Sequence, residues 1–154
     1  MANVKDKGHS QEGMHSEKLV GRTQQTFFSA EESERFVYPE AFKVDFEKRA
    51  EFDAQNMEIR DVNLKIRALM NQGFGHIVVK NPNAKHSLGV GILNRLKLDF
   101  VGSMGYFGCG LIDGPNVHVS GRVGWSCAEN MMSGTVHVKG NASQSAGATA
   151  HGGT

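Results

Sequence analysis

Gly102, Gly121 and Gly140 stand 19 residues apart, and their neighbours keep the same step. Leu98, Val117 and Val136 form one such series, and Phe100, Val119 and Val138 another. One period earlier, Ser87–Leu93 (SLGVGIL) precedes Tyr106–Ile112 (YFGCGLI) by 19, which sets Gly89 on Gly108 and Gly91 on Gly110. A fixed period near 20 residues marks a solenoid, in which each repeat buries its apolar face only against its neighbours. Residues 87–153 therefore constrain what the rest of the chain can be.

Laid over one another, the turns run Lys97–Pro115, Asn116–Gly134 and Thr135–Gly153, with a weaker turn before them near Val78–Leu96. In Val117-His118-Val119 the valines share one face and His118 takes the other. Val136-His137-Val138 repeats the arrangement. Stacked strands of successive turns lie parallel, about 4.8 Å apart, so four turns would rise only about 15–20 Å. The two apolar series point inward. Gly102, Gly121 and Gly140 close the first strand of each turn and read as corners, where a positive φ or a bulge suits glycine.

Ahead of the stack, Asp61–Gln72 reads as a helix. Val62, Ile66, Leu69 and Met70 form one apolar stripe. Asp61 is placed to cap its start and Gly73 to end it. The β-branched run Gly75–Val79 predicts a strand directly after it. An open solenoid end exposes apolar surface and strand edges, so this helix is expected to cover the first turn. Residues 1–21 are polar and read as a disordered tail. Residues 26–54 carry Phe27, Phe28, Phe36, Tyr38, Phe42, Phe46 and Phe52 in a charged background. Ser29-Ala30-Glu31-Glu32 resembles a helix start, and Pro39 would end that helix. Two readings of this aromatic arm stay open: it lies over another protein, or it packs on its own domain. The expected division is thus a tail and arm over 1–54 and a solenoid domain over 55–154.

The 154 residues suffice for one domain, and 17 Lys and Arg against 16 Asp and Glu leave a formal charge of +1. That balance offers no electrostatic reason to expect nucleic acid or an anionic membrane. No run approaches the length of a membrane span, and no secretory signal is visible, so a soluble cytoplasmic protein is the default. His118 and His137 share a position on successive turns; they read as a surface ladder before they read as a metal site. Cys109 and Cys127 are 18 apart, near neighbours on adjacent turns, and read as small interior filling before a redox pair. Two cysteines make neither a disulfide framework nor a CxxC zinc site. Gly89-Val90-Gly91 and Gly108-Cys109-Gly110 lack the third glycine and following helix of a dinucleotide fingerprint. No HExxH, P-loop or nucleophile elbow is present. Hexapeptide β-helices and calcium-binding nonapeptide repeats fit neither the period nor the few aspartates of the stack. No catalytic, cofactor-binding or metal-binding residue is assigned to this chain.

The string Ala128-Glu129-Asn130-Met131-Met132-Ser133-Gly134-Thr135-Val136, continuing through Gly140–Thr149, resembles the C-terminal GXGXG β-helix domain of glutamate synthase. It is most similar to the stand-alone form of that domain, a subunit of N-methylglutamate synthase (methylamine–glutamate N-methyltransferase). Asp61-Val62-Asn63, Asn81-Pro82 and His86 extend the resemblance, which covers residues 52–154. The β-solenoid scaffold of formylmethanofuran dehydrogenase is a more distant likeness of the same fold. The resemblance implies a mainly β chain: a right-handed parallel β-helix with turns of about 19 residues, preceded by the capping helix and the extended arm.

What it implies about function is a non-catalytic scaffold in a hetero-oligomer. The chemistry would sit on a glutaminase-like amidotransferase subunit and an FMN-binding glutamate-synthase-like subunit with an iron–sulfur cluster. The product would be glutamate or N-methylglutamate. This chain itself would bind no cofactor, nucleic acid or membrane. Family members have further turns, so the domain is expected to be cut short at Thr154. The alternatives are a scaffold of the formylmethanofuran dehydrogenase type and a free-standing binding solenoid.

Overall fold

A computed structural model describes residues 42–154. The tail, the Ser29–Glu32 helix start and Pro39 lie outside the described residues. Among the described residues five strands and one helix follow in chain order: β1 (Asp45–Asp53), α1 (Ile59–Asn71), β2 (Phe74–Lys80), β3 (Lys97–Val101), β4 (Asp113–Val119) and β5 (Ser133–Val138). The strands form one parallel sheet in sequence order. Consecutive parallel neighbours require a full turn of chain between them, so this is a parallel β-solenoid.

Register fixes the interior. Phe52, Val79, Phe100, Val119 and Val138 pair in succession, as do Ala50, Ile77, Leu98, Val117 and Val136. Both expected apolar series are therefore interior ladders. Ile77, Val79, Leu98, Phe100 and Val119 are 0% exposed and Val117 is 2% exposed. From Phe100 to Val119 and from Val119 to Val138 the step is 19. From Val79 to Phe100 it is 21, two residues longer than the sequence period suggests. The step from Phe52 to Val79 is 27, because it carries the helix.

β1 falls within the stretch read as an arm. Its sequence, DFEKRAEFD, carries six charged residues in nine, and only Phe52 is buried. Among the described residues it is the edge strand, with a neighbour on one side only, so it joins the sheet by backbone pairing and one large side chain rather than by a hydrophobic run.

The helix begins two residues before Asp61. Glu58 occupies the cap position without a side-chain cap bond, and Asp61 lies in the first turn, where its charge favours the helix dipole. Val62, Ile66 and Met70 are buried and join the core. Gly73 takes φ +84° and its N–H donates to Met70 O (2.9 Å), which ends the helix as expected.

Opposite the strands, each turn carries a segment with an unusual backbone. Phe107, Cys109 and Leu111 all have left-handed φ near +55°, as do Ser126, Ala128 and Asn130 one turn on. Ser145, Gly147 and Thr149 repeat it, and Ser87, Gly89 and Gly91 precede it. Alternate N–H groups point to opposite neighbours: Phe107 N donates to Trp125 O (2.7 Å), while Cys109 N donates to Leu88 O (2.8 Å). Left-handed φ costs a non-glycine residue about 1–2 kcal/mol; hydrogen bonds to the turns on either side offset it.

This backbone overturns the expected match of GxG on GxG. Ser87, Gly89 and Gly91 stand 20 residues before their left-handed counterparts, not 19. A Cβ on Gly89 would lie 3.5 Å from Cys109 Sγ, so Gly89 stacks on Cys109 rather than on Gly108.

Candidate functional site

The glycine column comes first, because it sets how closely the turns approach. Gly102 has φ +138°, but Gly121 and Gly140 do not take a positive φ. All three lie at the bends that follow β3, β4 and β5, but only Gly102 takes a positive φ there. The other two are glycine because backbone meets backbone. Gly121 N donates to Gly102 O (3.0 Å) and Gly140 N to Gly121 O (3.0 Å). A Cβ on Gly121 would stand 2.6 Å from Gly102 C and O, and one on Gly140 2.5 Å from Gly121 O.

Cys109 and Cys127 are both free and buried. Burial pushes the Cys109 thiol far up, with Cys127 beside it adding to the shift, and pushes Cys127 up to about 11. Burial thus disfavours the thiolate at both positions, and the thiolate is the reactive form of cysteine.

The His ladder sits on the outer face of the sheet. Glu51, Val78, Asp99, His118 and His137 share one row. The His118 and His137 rings are 5.4 Å apart, tilted by 37°. Asp99, one strand up, is engaged by His76, with Nε2 to Oδ2 at 2.8 Å. Among the described residues no group of three or more His, Cys, Asp or Glu side chains is arranged to hold a metal.

A denser pairing occupies the β1–β2 half of that face. Arg49 Nη2 contacts Glu51 Oε2 at 2.8 Å, and Lys80 binds the other oxygen. These two cations hold the Glu51 carboxyl below its ordinary range, with Lys80 the larger cause. Asp53 is lowered by the Gln55 N–H and then by the Asn81 side chain, which donates at 2.7 Å.

The side chains that close the helix end of the stack escaped the sequence reading. The Asn63 amide works as a surrogate peptide: its Nδ2 donates to Ser87 O (2.8 Å) and its Oδ1 accepts from Gly89 N (2.9 Å). Arg67, one turn along the helix, donates to Gly91 O (3.2 Å). Asn94, the buried polar residue of the core, grips the Phe42 backbone through both ends of its amide. An amide inside a helix next to an apolar stripe is a faint signal for such a bridge, but it names no partner.

At the other end, the last turn bounds an apolar cavity of about 400 Å³, lined by Val123, Cys127, Met131, Val136, Val138 and several alanines. On a further face His86 stacks on Tyr106 (3.9 Å), and Tyr106 and Trp125 are 50% and 64% exposed. Among the described residues no helix is long and apolar enough to cross a membrane.

No family model and no solved structure matches the chain. Among curated proteins it is similar to Protein GlxC of Rhizobium meliloti (strain 1021), with 49% identity over 58 residues. That match spans 38% of this chain and about a quarter (25%) of the relative's length.

Proposed function

We propose that this chain is a non-catalytic scaffold subunit of a glutamate-synthase-like, flavin-dependent complex in the cytoplasm. Its partners would be a glutaminase-like amidotransferase subunit and an FMN-binding subunit with an iron–sulfur cluster, which together make glutamate or N-methylglutamate. The carrying observation is the solenoid itself: stacked side chains fill its interior, its two cysteines are buried among them, and what it presents is outer faces. The Ala128–Val136 string and the 58-residue similarity to Protein GlxC support the family reading. Residues 1–54 are proposed as the subunit's arm, with β1 as the part that joins the sheet.

The test is purification of the tagged chain from its source organism, with native mass, visible spectrum and metal content of what stays bound. A heteromeric complex with flavin absorbance and iron is the expected result. A monomer with neither overturns the reading. Molybdenum or tungsten without flavin replaces it with the dehydrogenase-type scaffold.

A further inference from the structure

We infer that His118 and His137 form a divalent transition-metal site on the outer face of the sheet. This is independent of the scaffold reading.

The interior places both imidazoles. His118 stands between Val117 and Val119, and His137 between Val136 and Val138. Those valines pair in register within the two apolar ladders, which turns the histidines outward as direct cross-strand partners. Parallel strands set such partners about 4.8 Å apart, and the two rings lie 5.4 Å apart, tilted by 37°. Because the sheet fixes this spacing, joining the rings through one ion costs little ordering.

The spacing is the one a shared ion requires. A Zn²⁺–N bond of about 2.0–2.1 Å and an imidazole radius of about 1.1 Å put the ion about 3.2 Å from each ring centre. At a tetrahedral angle the two centres then stand about 5.2 Å apart. His137 is exposed and His118 half-buried, so both rings have room to turn one nitrogen toward a common point. Two imidazoles form the whole protein ligand set, and water takes the other positions; among the described residues no third His, Cys, Asp or Glu joins them.

Ligand chemistry, not net charge, decides what binds. The groove of about 380 Å³ around the pair is lined by Lys97 and Asp99 as well as by the histidines, so its ammonium and carboxylate offset each other. Asp99 is also engaged by His76. Imidazole nitrogens suit Zn²⁺, Cu²⁺ and Ni²⁺, whereas Ca²⁺ and Mg²⁺ take oxygen ligands.

Full-length protein without an affinity tag is titrated with ZnCl₂ by calorimetry at neutral pH. Substoichiometric CuCl₂ is followed by NMR of the histidine rings. The expected result is a tightest site for one Zn²⁺, and Cu²⁺ that broadens the His118 and His137 resonances together before those of any other histidine. Linking two ligands raises affinity by about 10²–10⁴-fold over one, so His118→Asn and His137→Asn should each weaken Zn²⁺ binding about a hundredfold. Unchanged melting temperatures would show that both variants fold. His151→Asn, on the last turn, should leave the affinity as it was.

Undiminished affinity in either variant overturns the proposal. So does broadening shared evenly among all histidines, or Ca²⁺ or Mg²⁺ displacing Zn²⁺ at equal concentration. A flavin-containing complex whose chain lacks this site leaves the scaffold reading intact, and a chain that binds Zn²⁺ here but purifies alone loses only that reading.

Discussion

Replacing Gly121 with alanine tests the claim that glycine is chosen there for close approach between turns rather than for a positive φ. The added Cβ would stand 2.5 Å from Ser103 Oγ and 2.6 Å from Gly102 C and O. The hydroxyl can rotate away; the backbone of the turn above cannot. An ordinary carbon contact is about 3.5–4.0 Å, so the two turns must separate by about 1 Å at this point. That strains the bonds from Gly121 N to Gly102 O and from Gly140 N to Gly121 O, each 3.0 Å long. Overpacking costs about 1–3 kcal/mol and each lost backbone bond about 1 kcal/mol, so the variant should lose about 2–4 kcal/mol.

Gly147→Ala is the control. Gly147 has φ +67° but nothing within 4 Å of its would-be Cβ. It should lose only the left-handed penalty of about 1–2 kcal/mol. Urea unfolding followed by circular dichroism reads both. If Gly147→Ala costs as much as Gly121→Ala, stacking is not what selects glycine at 121, and the reasoning fails.

Asn63→Leu should cost about 2–3 kcal/mol, because it leaves Ser87 O and Gly89 N without their partner at the covered end. Hydrogen exchange should show the Gly89 amide losing protection before the β4 amides do; uniform loss would mean Asn63 is not a local clamp. Cys127 supplies a pH dependence. Its thiol titrates near 9 when unfolded and at about 11 when folded, so folding disfavours the ionised form. Its stabilising effect is intact below pH 9 and is lost as pH rises from there through about 11. Urea midpoints in reductant should fall across that window, less steeply in Cys127→Ala; a rise in the wild type would refute the burial argument.

The interior was legible in the sequence because it is periodic. Leu98, Val117 and Val136 are the same choice made at each turn, and repetition separates signal from composition. Other features left weaker traces. Close approach and positive φ both appear as glycine, so Gly121 and Gly140 were open to the wrong cause. Matching GxG to GxG slipped the first pair by one residue, because left-handed φ at Phe107, Cys109 and Leu111 is sustained by hydrogen bonds and not by residue type. β1 gave no signal, since an edge strand with one large buried side chain looks like any charged segment. On the outer face the histidines were visible as a ladder. That Arg49, Glu51 and Lys80 satisfy one another, and that His76 reaches Asp99, depends on cross-strand register, which only the folded sheet supplies.

The Asn63 clamp also bears on the order in which the chain folds. Every strand pairing here joins residues one turn apart, 19 to 21 positions within the stack and 27 or 29 across the helix. No turn can gain its contacts before its neighbour offers an edge. At the helix end that edge comes ready-made: Val62, Ile66 and Met70 supply apolar cover, and Asn63 and Arg67 supply backbone-like hydrogen bonds. Val136 and Val138, in the last strand, stay partly buried. The helix end is therefore where a turn finds both apolar cover and hydrogen-bond partners already in place.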